Sequence, residues 1–211
     1  MSINSKLSDL YHQYIKPDEH FVAGGVVDEA DYENANVKVL MLFKEVNDKG
    51  QKENWSLVDL IQQQLNDQSF LPMWKRVGEW NCGLQVGFPQ YSTASYNMNL
   101  GLQWLATTNL KKSGGGGQSN YAVIREHAIN NVVLWTSEIE IMKPELVICG
   151  GTFEIVKEVL GLHTTVSPSG KQVGKALSTT FVQFYHPMYR ISPNVLYSHF
   201  KETMIGLGYG K

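Results

Sequence analysis

Apolar residues along this chain alternate between short continuous runs and longer segments in which they recur every three or four positions. The first, nearly continuous run is 37–43, and other strand-like segments lie at about 103–109, 145–149 and 181–185. Such runs are typical of strands that are covered on both faces, as in a parallel sheet. We therefore predict four strands.

Segments with helical periodicity separate these runs. The clearest covers 120–142, where apolar side chains form one stripe until Pro144 ends the helix. Another helix begins after Ser56, which caps it together with Asp59. Further helices are predicted at 5–15 (ended by Pro17), 70–80, 91–101, 152–160 and 193–206, with a loop through Pro168, Gly170 and Gly174 before the last strand.

The order of these elements predicts the fold class. Strands that alternate with helices favour a three-layer α/β/α domain with a central, mainly parallel four-stranded sheet. At 211 residues the chain is long enough to bury a sizeable core. Because neither an internal repeat nor a linker is visible, we expect a single domain over 1–211.

Composition narrows the possible partners and cofactors. The chain is 43% hydrophobic and 18% charged, as in globular proteins, and its net charge of −2 does not favour nucleic acid in general. Cys82 and Cys149 form no CxxC pair, which excludes a Cys-rich zinc or iron–sulfur site from this chain alone. We expect no metal and no cofactor. No apolar stretch approaches the roughly 20 residues of a membrane span, and the start lacks the core of a signal peptide. We therefore expect a cytoplasmic protein with no membrane contact.

Polar or glycine-rich segments follow all four predicted strands. The first strand runs into the charged segment 44–50, the second ends at Asn109, the third ends at 150–152, and the last leads into His186 and Pro187. Because the carboxyl ends of parallel strands meet at one edge of a sheet, these segments would form one site. Each segment alone is also compatible with an ordinary turn, and His186 alone with a structural histidine.

Taken in order, these segments resemble the uracil-DNA glycosylase superfamily, most closely its thermostable, iron–sulfur-containing branch. The Gly-Glu-Ala-Pro-Gly motif of that branch would lie over 44–48, and its Thr-Asn-Val-Val-Lys segment looks like 108–112. Its Pro-x-Leu-Ile-Val-Leu-Leu-Gly strand is similar to 144–150, and its His-Pro-(Ser/Ala)-Tyr-Leu-Leu motif looks like 186–191. The resemblance covers roughly 37–206. The last motif is the most specific, and the order of all four carries more weight than any one of them.

The chain departs from that branch at several positions. A four-cysteine cluster cannot form, because the chain has only 2 cysteines. Asn47 stands where the first motif has proline, and Lys44 stands where it has its first glycine. Val46 lies where other branches carry a water-activating Asp or Asn. Glu45, Asn47 or Asp48 would therefore have to take over that role.

The resemblance implies hydrolysis of the N-glycosidic bond of uracil, or of a related deaminated or modified base, in DNA repair by base excision. Bond cleavage leaves negative charge on the departing base and positive charge on the sugar. His186 would donate a hydrogen bond to the base. Glu45 or Asp48 would hold the water and stabilise the sugar cation.

Three further residues are expected to bind the base itself. Asn109 would read the edge of the ring, because its amide offers both a donor and an acceptor. Asn47 would lie beside it. Trp55 would stack on the ring, although it is equally compatible with a place in the core.

Contacts to DNA are expected on two sides of this site. Lys111, Lys112 and the backbone N–H of Gly115 would hold the phosphates. Tyr189 and Arg190 would fill the space left by the extruded base or hold a phosphate. The alternative for the glycine-rich loop is a mobile segment with solvated lysines. We expect a monomer.

Two other functions stay open at this point. One is a catalytically inactive member of the same fold that binds a nucleotide, a nucleic acid or a protein. The other is an unrelated α/β hydrolase that acts on a small nucleoside.

Overall fold

The computed structural model describes residues 1–16, 19–48 and 52–210. Pro17, the predicted end of the first helix, lies outside the described residues, as do the last residues of the charged segment 44–50. The fold is mixed α/β, with a central sheet and helices that pack on both of its faces.

Four of the strands lie close to the apolar runs of the sequence. The strands in the described residues are β1 Val22–Ala23, β2 Gly25–Val26, β3 Val39–Phe43, β4 Trp55–Ser56, β5 Leu105–Asn109, β6 Leu146–Gly150, β7 Thr164–Val166, β8 Gln172–Ala176 and β9 Thr179–Phe184. Within the described residues, the central sheet has 7 strands in the order β2-β5-β3-β6-β9-β8-β7, and β1 pairs with β4 separately. Strands β5, β3, β6 and β9 are parallel neighbours. These are the four strands that the apolar runs predict.

The prediction of a four-stranded, mainly parallel sheet is nevertheless wrong for the sheet as a whole. Strand β2 pairs antiparallel with β5, β8 with β9, and β7 with β8, so the sheet is mixed. Strands β7 and β8 lie where the sequence predicts a loop. Their pattern does not predict strands because few of their positions are buried. Strand β7 is the edge strand, with Thr165 and Val166 exposed, and its neighbour β8 has only Val173 and Gly174 buried. A strand at the edge of a sheet does not need the apolar run of a central strand.

The helices surround this sheet. They are α1 Ile3–Tyr11, α2 Glu29–Glu33, α3 Leu57–Asp67, α4 Pro72–Gln85, α5 Tyr91–Tyr96, α6 Met98–Gln103, α7 Tyr121–Asn130, α8 Val132–Met142, α9 Phe153–Leu160 and α10 Pro193–Gly206. Helix α3 begins as predicted, because the Ser56 hydroxyl accepts hydrogen bonds from the backbone N–H of Val58 at 3.1 Å and of Asp59 at 3.3 Å.

Two predicted helices are each divided into two by an asparagine. The helix predicted at 120–142 is interrupted at Asn131, and the one predicted at 91–101 is interrupted at Asn97. In both cases the side-chain amide donates at 3.0 Å to the carbonyl four residues earlier, that of His127 or Thr93. Asparagine competes in this way with the backbone hydrogen bonds of the helix, which favours a cap over continuation.

The alternation of side chains along the central strands creates two hydrophobic cores. In β3, Val39, Met41 and Phe43 belong to one core, while Leu40 and Leu42 belong to the other. Helices α3, α4, α6 and α10 contribute to the first core, and α1, α7, α8 and α9 to the second. Two-sided burial explains why β3 and β6 are apolar along their whole length.

None of the helices in the described ranges combines the length and the apolar character needed to cross a membrane.

Candidate active site

The carboxyl ends of the parallel strands open into a cavity of about 790 Å³. Five of the predicted site residues line it: Glu45, Asn47, Trp55, Asn109 and His186. The structure therefore brings together residues that lie far apart in the sequence, as the order of the strand ends predicts. Their chemical roles stay predictions.

His186 follows β9 and is held in one orientation by the turn behind it. Its Nδ1 accepts the backbone N–H of Met188 at 3.2 Å, and its carbonyl accepts the N–H of Tyr189 at 2.8 Å. The ring lies edge-on to Phe43 with 5.6 Å between the centroids. Because Nδ1 is an acceptor, the proton of the neutral ring lies on Nε2. His186 thus offers an N–H donor to the cavity that it lines.

We expect His186 to titrate far below the usual range of a histidine. Burial, with the nearby charge of Lys44, lowers its pKa from 6.5 to about 4. The folded-state pKa lies below the unfolded one, so the contribution of neutral His186 to stability is complete above pH 6.5. That contribution decreases as the pH falls towards 4. An NMR titration of the ring carbons, assigned with His186→Gln, should give a midpoint near 4. A midpoint near 6.5 would contradict the buried, neutral ring.

Asn109 is the last residue of β5 and lies against the end of β3. Its side chain is buried, with 2% of the residue exposed. Its Nδ2 has no hydrogen-bond partner among the described residues. An unpaired buried donor costs about 1–3 kcal/mol and calls for an explanation. Since Asn109 also lines the cavity, a ligand with an acceptor group would provide the missing partner.

Glu45 forms a partly buried ion pair at the wall of the cavity. The Lys111 ammonium lies 2.7 Å from its Oε2, and the two side chains are 7% and 9% exposed for Glu45 and Lys111, respectively. Lys111 also donates to the carbonyls of Ser113 and Gly114. The ammonium of Lys111 is therefore already bound by one carboxylate and two backbone carbonyls. The structure does not place it where the predicted grip on a DNA phosphate would need it.

The glycine-rich loop packs directly against this ion pair. Gly115 donates its N–H to the carbonyl of Val46 at 2.8 Å and forms a bridge with Asn47. A Cβ on Gly115 would meet the Glu45 carboxylate at 2.2–2.5 Å. The backbone N–H of Gly115, which was expected to bind a DNA phosphate, thus binds the segment that follows β3 instead. Gly115 can lie this close to the Glu45 carboxylate only because it has no side chain.

Replacing Gly115 with alanine is expected to displace the Glu45 carboxylate. The overpacking should lower the free energy of unfolding by about 1–3 kcal/mol, measured by urea denaturation. Gly116→Ala is the matched control, because no described atom lies within 4 Å of the position that its Cβ would take. Equal unfolding midpoints for the two variants would show that the carboxylate is not packed against Gly115.

Lys112 is placed differently from its predicted role. Its ammonium lies 2.6 Å from both carboxylate oxygens of Glu138, and it also contacts the hydroxyl of Thr108. The side chains of Lys112 and Glu138 are only 7% and 0% exposed. Lys112 therefore belongs to a buried ion pair in the second core and is not available to contact DNA.

Asp48 is also not where its predicted catalytic role requires it, since it is not among the residues that line the cavity. Its Oδ2 accepts a hydrogen bond from the Trp55 indole at 2.9 Å and contacts His20 Nε2 at 2.7 Å. The other nitrogen of His20 lies 2.6 Å from the carbonyl of Glu53. Asp48 thus holds the indole of Trp55 at the cavity wall, and Glu45 is the carboxylate that lines the cavity.

The turn after His186 forms part of the rim. Tyr189 is 50% exposed and stacks on Tyr185 with 4.8 Å between the ring centroids. The Arg76 guanidinium donates to the carbonyls of Pro187 at 2.5 Å and Tyr189 at 3.1 Å. Arg190 is exposed. Tyr189 and Arg190 are therefore accessible for the predicted contacts with DNA.

Several residues of the cavity are not predicted by the sequence. Met188 lines the rim and is 48% exposed. Phe43 and Trp74 form an aromatic wall, with 6.0 Å between their ring centroids. Phe43 could have been identified as the last residue of an apolar run that enters the site. Trp74 lies on α4, and nothing in its local pattern separates it from an ordinary core residue.

Comparison with protein-family models finds no match to this chain, and no curated protein matches it. A functional proposal therefore depends on the geometry of the cavity. In the part of the chain that the structure describes, no group of three or more His, Cys, Asp or Glu side chains could hold a metal ion.

Proposed function

We propose that this chain binds an extruded base of DNA in the cavity and hydrolyses its N-glycosidic bond. The base would be uracil or a related deaminated or modified base. One observation carries the proposal: the neutral donor of His186 and the unpaired amide of Asn109 line one cavity with aromatic walls. We also propose that the four central parallel strands correspond to the sheet of the uracil-DNA glycosylase superfamily.

Different residues would act on the two products of the cleavage, the departing base and the sugar cation. As the bond between base and sugar breaks, its electron pair leaves with the base, and the Nε2–H of His186 donates to the base oxygen that gains charge. The Glu45 carboxylate would stabilise the sugar cation and accept a proton from the attacking water. Asn109 would bind the edge of the base.

Aromatic groups would hold the flat ring between these polar residues. Stacking of a base on an aromatic side chain contributes about 1–3 kcal/mol. Trp55 is suited to this role because Asp48 fixes its indole, and Phe43 and Trp74 offer further aromatic surface. Extrusion of a base from a duplex costs a few kcal/mol. The exposed Tyr189 at the rim would help to offset that cost by stacking in the vacated space.

A second candidate function is recognition of the base without its removal. Val46 stands where a water-activating residue would be expected from the resemblance, and Glu45 is already paired with Lys111 at 2.7 Å. Both features would leave binding intact and make hydrolysis slow. Tight binding of a uracil-containing oligonucleotide without any turnover would favour this candidate.

Oligonucleotides that carry uracil, hypoxanthine, xanthine or a modified base would test the proposed function directly. After incubation with the protein, alkali converts each abasic site into a strand break that is measured on a gel. We expect breaks with at least one of these bases. If none gives breaks, the enzymatic proposal must be abandoned. Release of base from free nucleosides but not from oligonucleotides would instead indicate a nucleoside hydrolase.

A further inference from the structure

Lys44 is the first residue after β3, and its side chain lines the same cavity as His186. Its ammonium lies 5.2 Å from the centroid of the Tyr121 ring. The Tyr121 hydroxyl donates to the carbonyl of Gly151 at 3.0 Å. None of the ion pairs between described residues includes Lys44. Lys44 therefore brings to the wall of the cavity a positive charge that forms no ion pair with a described carboxylate.

Two glycines bring this charge close to His186. Strand β6 lies between β3 and β9 in the sheet and ends in Gly150 and Gly151, which have no side chains to separate the neighbouring strand ends. A Cβ on Gly151 would lie 3.7 Å from the Tyr121 hydroxyl and 3.8 Å from Cβ of His186. The Lys44–Tyr121 pair and His186 thus flank the same glycine end. The charge of Lys44 is also one of the causes that keep the pKa of His186 low.

Lys44 and Lys111 both lie near the cavity but differ in how their charges are compensated. Lys111 is paired with Glu45 and with two backbone carbonyls, so its charge is compensated locally. Lys44 has only the face of an aromatic ring among its described partners. A partly buried cation with an incomplete set of partners is suited to an anion, which in this cavity would come from the ligand.

We propose that Lys44 is a catalytic residue whose ammonium stabilises the negative charge that leaves with the base. This role rests on the proposed function. The bond between the sugar carbon and the base nitrogen breaks, and the electron pair moves onto the base, beside Lys44 and the Nε2–H of His186. Water supplies the hydroxyl that bonds to the sugar carbon. Its proton passes to Glu45, and solvent then protonates the base. Neutral His186 supplies a hydrogen bond but no charge, so Lys44 provides what His186 lacks.

The test compares two leaving groups. Single-turnover rates are measured for wild type and Lys44→Met with oligonucleotides that carry uracil or 5-fluorouracil, whose anion is intrinsically more stable. A charge that acts on the departing base is needed most for the poorer leaving group. We expect Lys44→Met to lower the uracil rate on the order of 10²-fold and the 5-fluorouracil rate much less. Lys44→Arg should retain most of the activity.

Controls separate this role from folding and from general charge. Lys75→Met removes an exposed lysine of α4 and should leave both rates unchanged, and thermal melting should show that each variant is folded. Equal losses for both bases, with weaker binding of the oligonucleotide, would indicate a phosphate contact and overturn the proposal. Unchanged rates in Lys44→Met would also overturn it. Absence of wild-type turnover on uracil and 5-fluorouracil would overturn the role of Lys44 at this leaving group, and absence of turnover on hypoxanthine, xanthine and the modified base as well would refute the proposed function. The other outcomes would leave that function standing.

Discussion

His186→Ala is expected to lower the single-turnover rate on a uracil-containing oligonucleotide by roughly 10²–10³-fold, the usual effect of removing a preorganised donor. The variant loses the Nε2–H donor of a ring that lines the cavity and that the turn 186–189 holds in one orientation. Its stability should change little, because the ring makes one edge-on contact with Phe43 and one hydrogen bond with the turn. Rates measured under single-turnover conditions report the chemical step and not product release.

Two companion variants make this result specific. His186→Gln keeps an N–H donor and should retain more activity than His186→Ala. His163→Ala changes an exposed histidine that does not line the cavity and should behave as wild type. If His186→Ala cleaves as fast as wild type, the leaving base does not depend on His186. The cavity would then have to act through other donors.

Lys112→Met is expected to lower the free energy of unfolding by about 3–5 kcal/mol, because it leaves a buried carboxylate without its cation. Glu138 also accepts hydrogen bonds from Tyr11 at 2.5 Å and from Thr108 at 2.8 Å. These bonds join α1, β5 and α8 at one point. Burial lowers the pKa of Lys112, because desolvation disfavours the charged ammonium. Urea denaturation monitored by circular dichroism measures the loss.

A double variant distinguishes an unpaired charge from lost packing. Lys112→Met combined with Glu138→Leu removes both charges and should recover part of the stability that Lys112→Met loses. Arg125→Met breaks an exposed ion pair with Glu158 and should leave the unfolding midpoint within error of wild type. A wild-type midpoint for Lys112→Met would mean that water reaches Glu138. The buried network would then not stabilise the fold.

Local signals in the sequence account for the elements but not for all of their limits. The apolar runs predict the central strands, since burial on both faces favours apolar side chains. The edge strand β7 and its neighbour β8 carry no such run, because few of their positions are buried. The pattern over 120–142 predicts a continuous helix because periodicity does not register the hydrogen bond that Asn131 makes with the carbonyl of His127.

The sequence by itself determined which segments meet at the site. Strand-like runs that alternate with helices favour parallel strands whose carboxyl ends share one edge, and the structure places Glu45, Asn109 and His186 in one cavity there. Only the tertiary structure decided which charged groups face that cavity. In the sequence, Lys112 looks as available as Lys44, and Asp48 looks as available as Glu45. The structure shows that Asp48 contacts His20 and that Lys112 pairs with Glu138, partners that lie 28 and 26 residues away along the chain. Long-range pairing leaves no local pattern, so only the packed fold decides which charged groups line the cavity and which are held elsewhere.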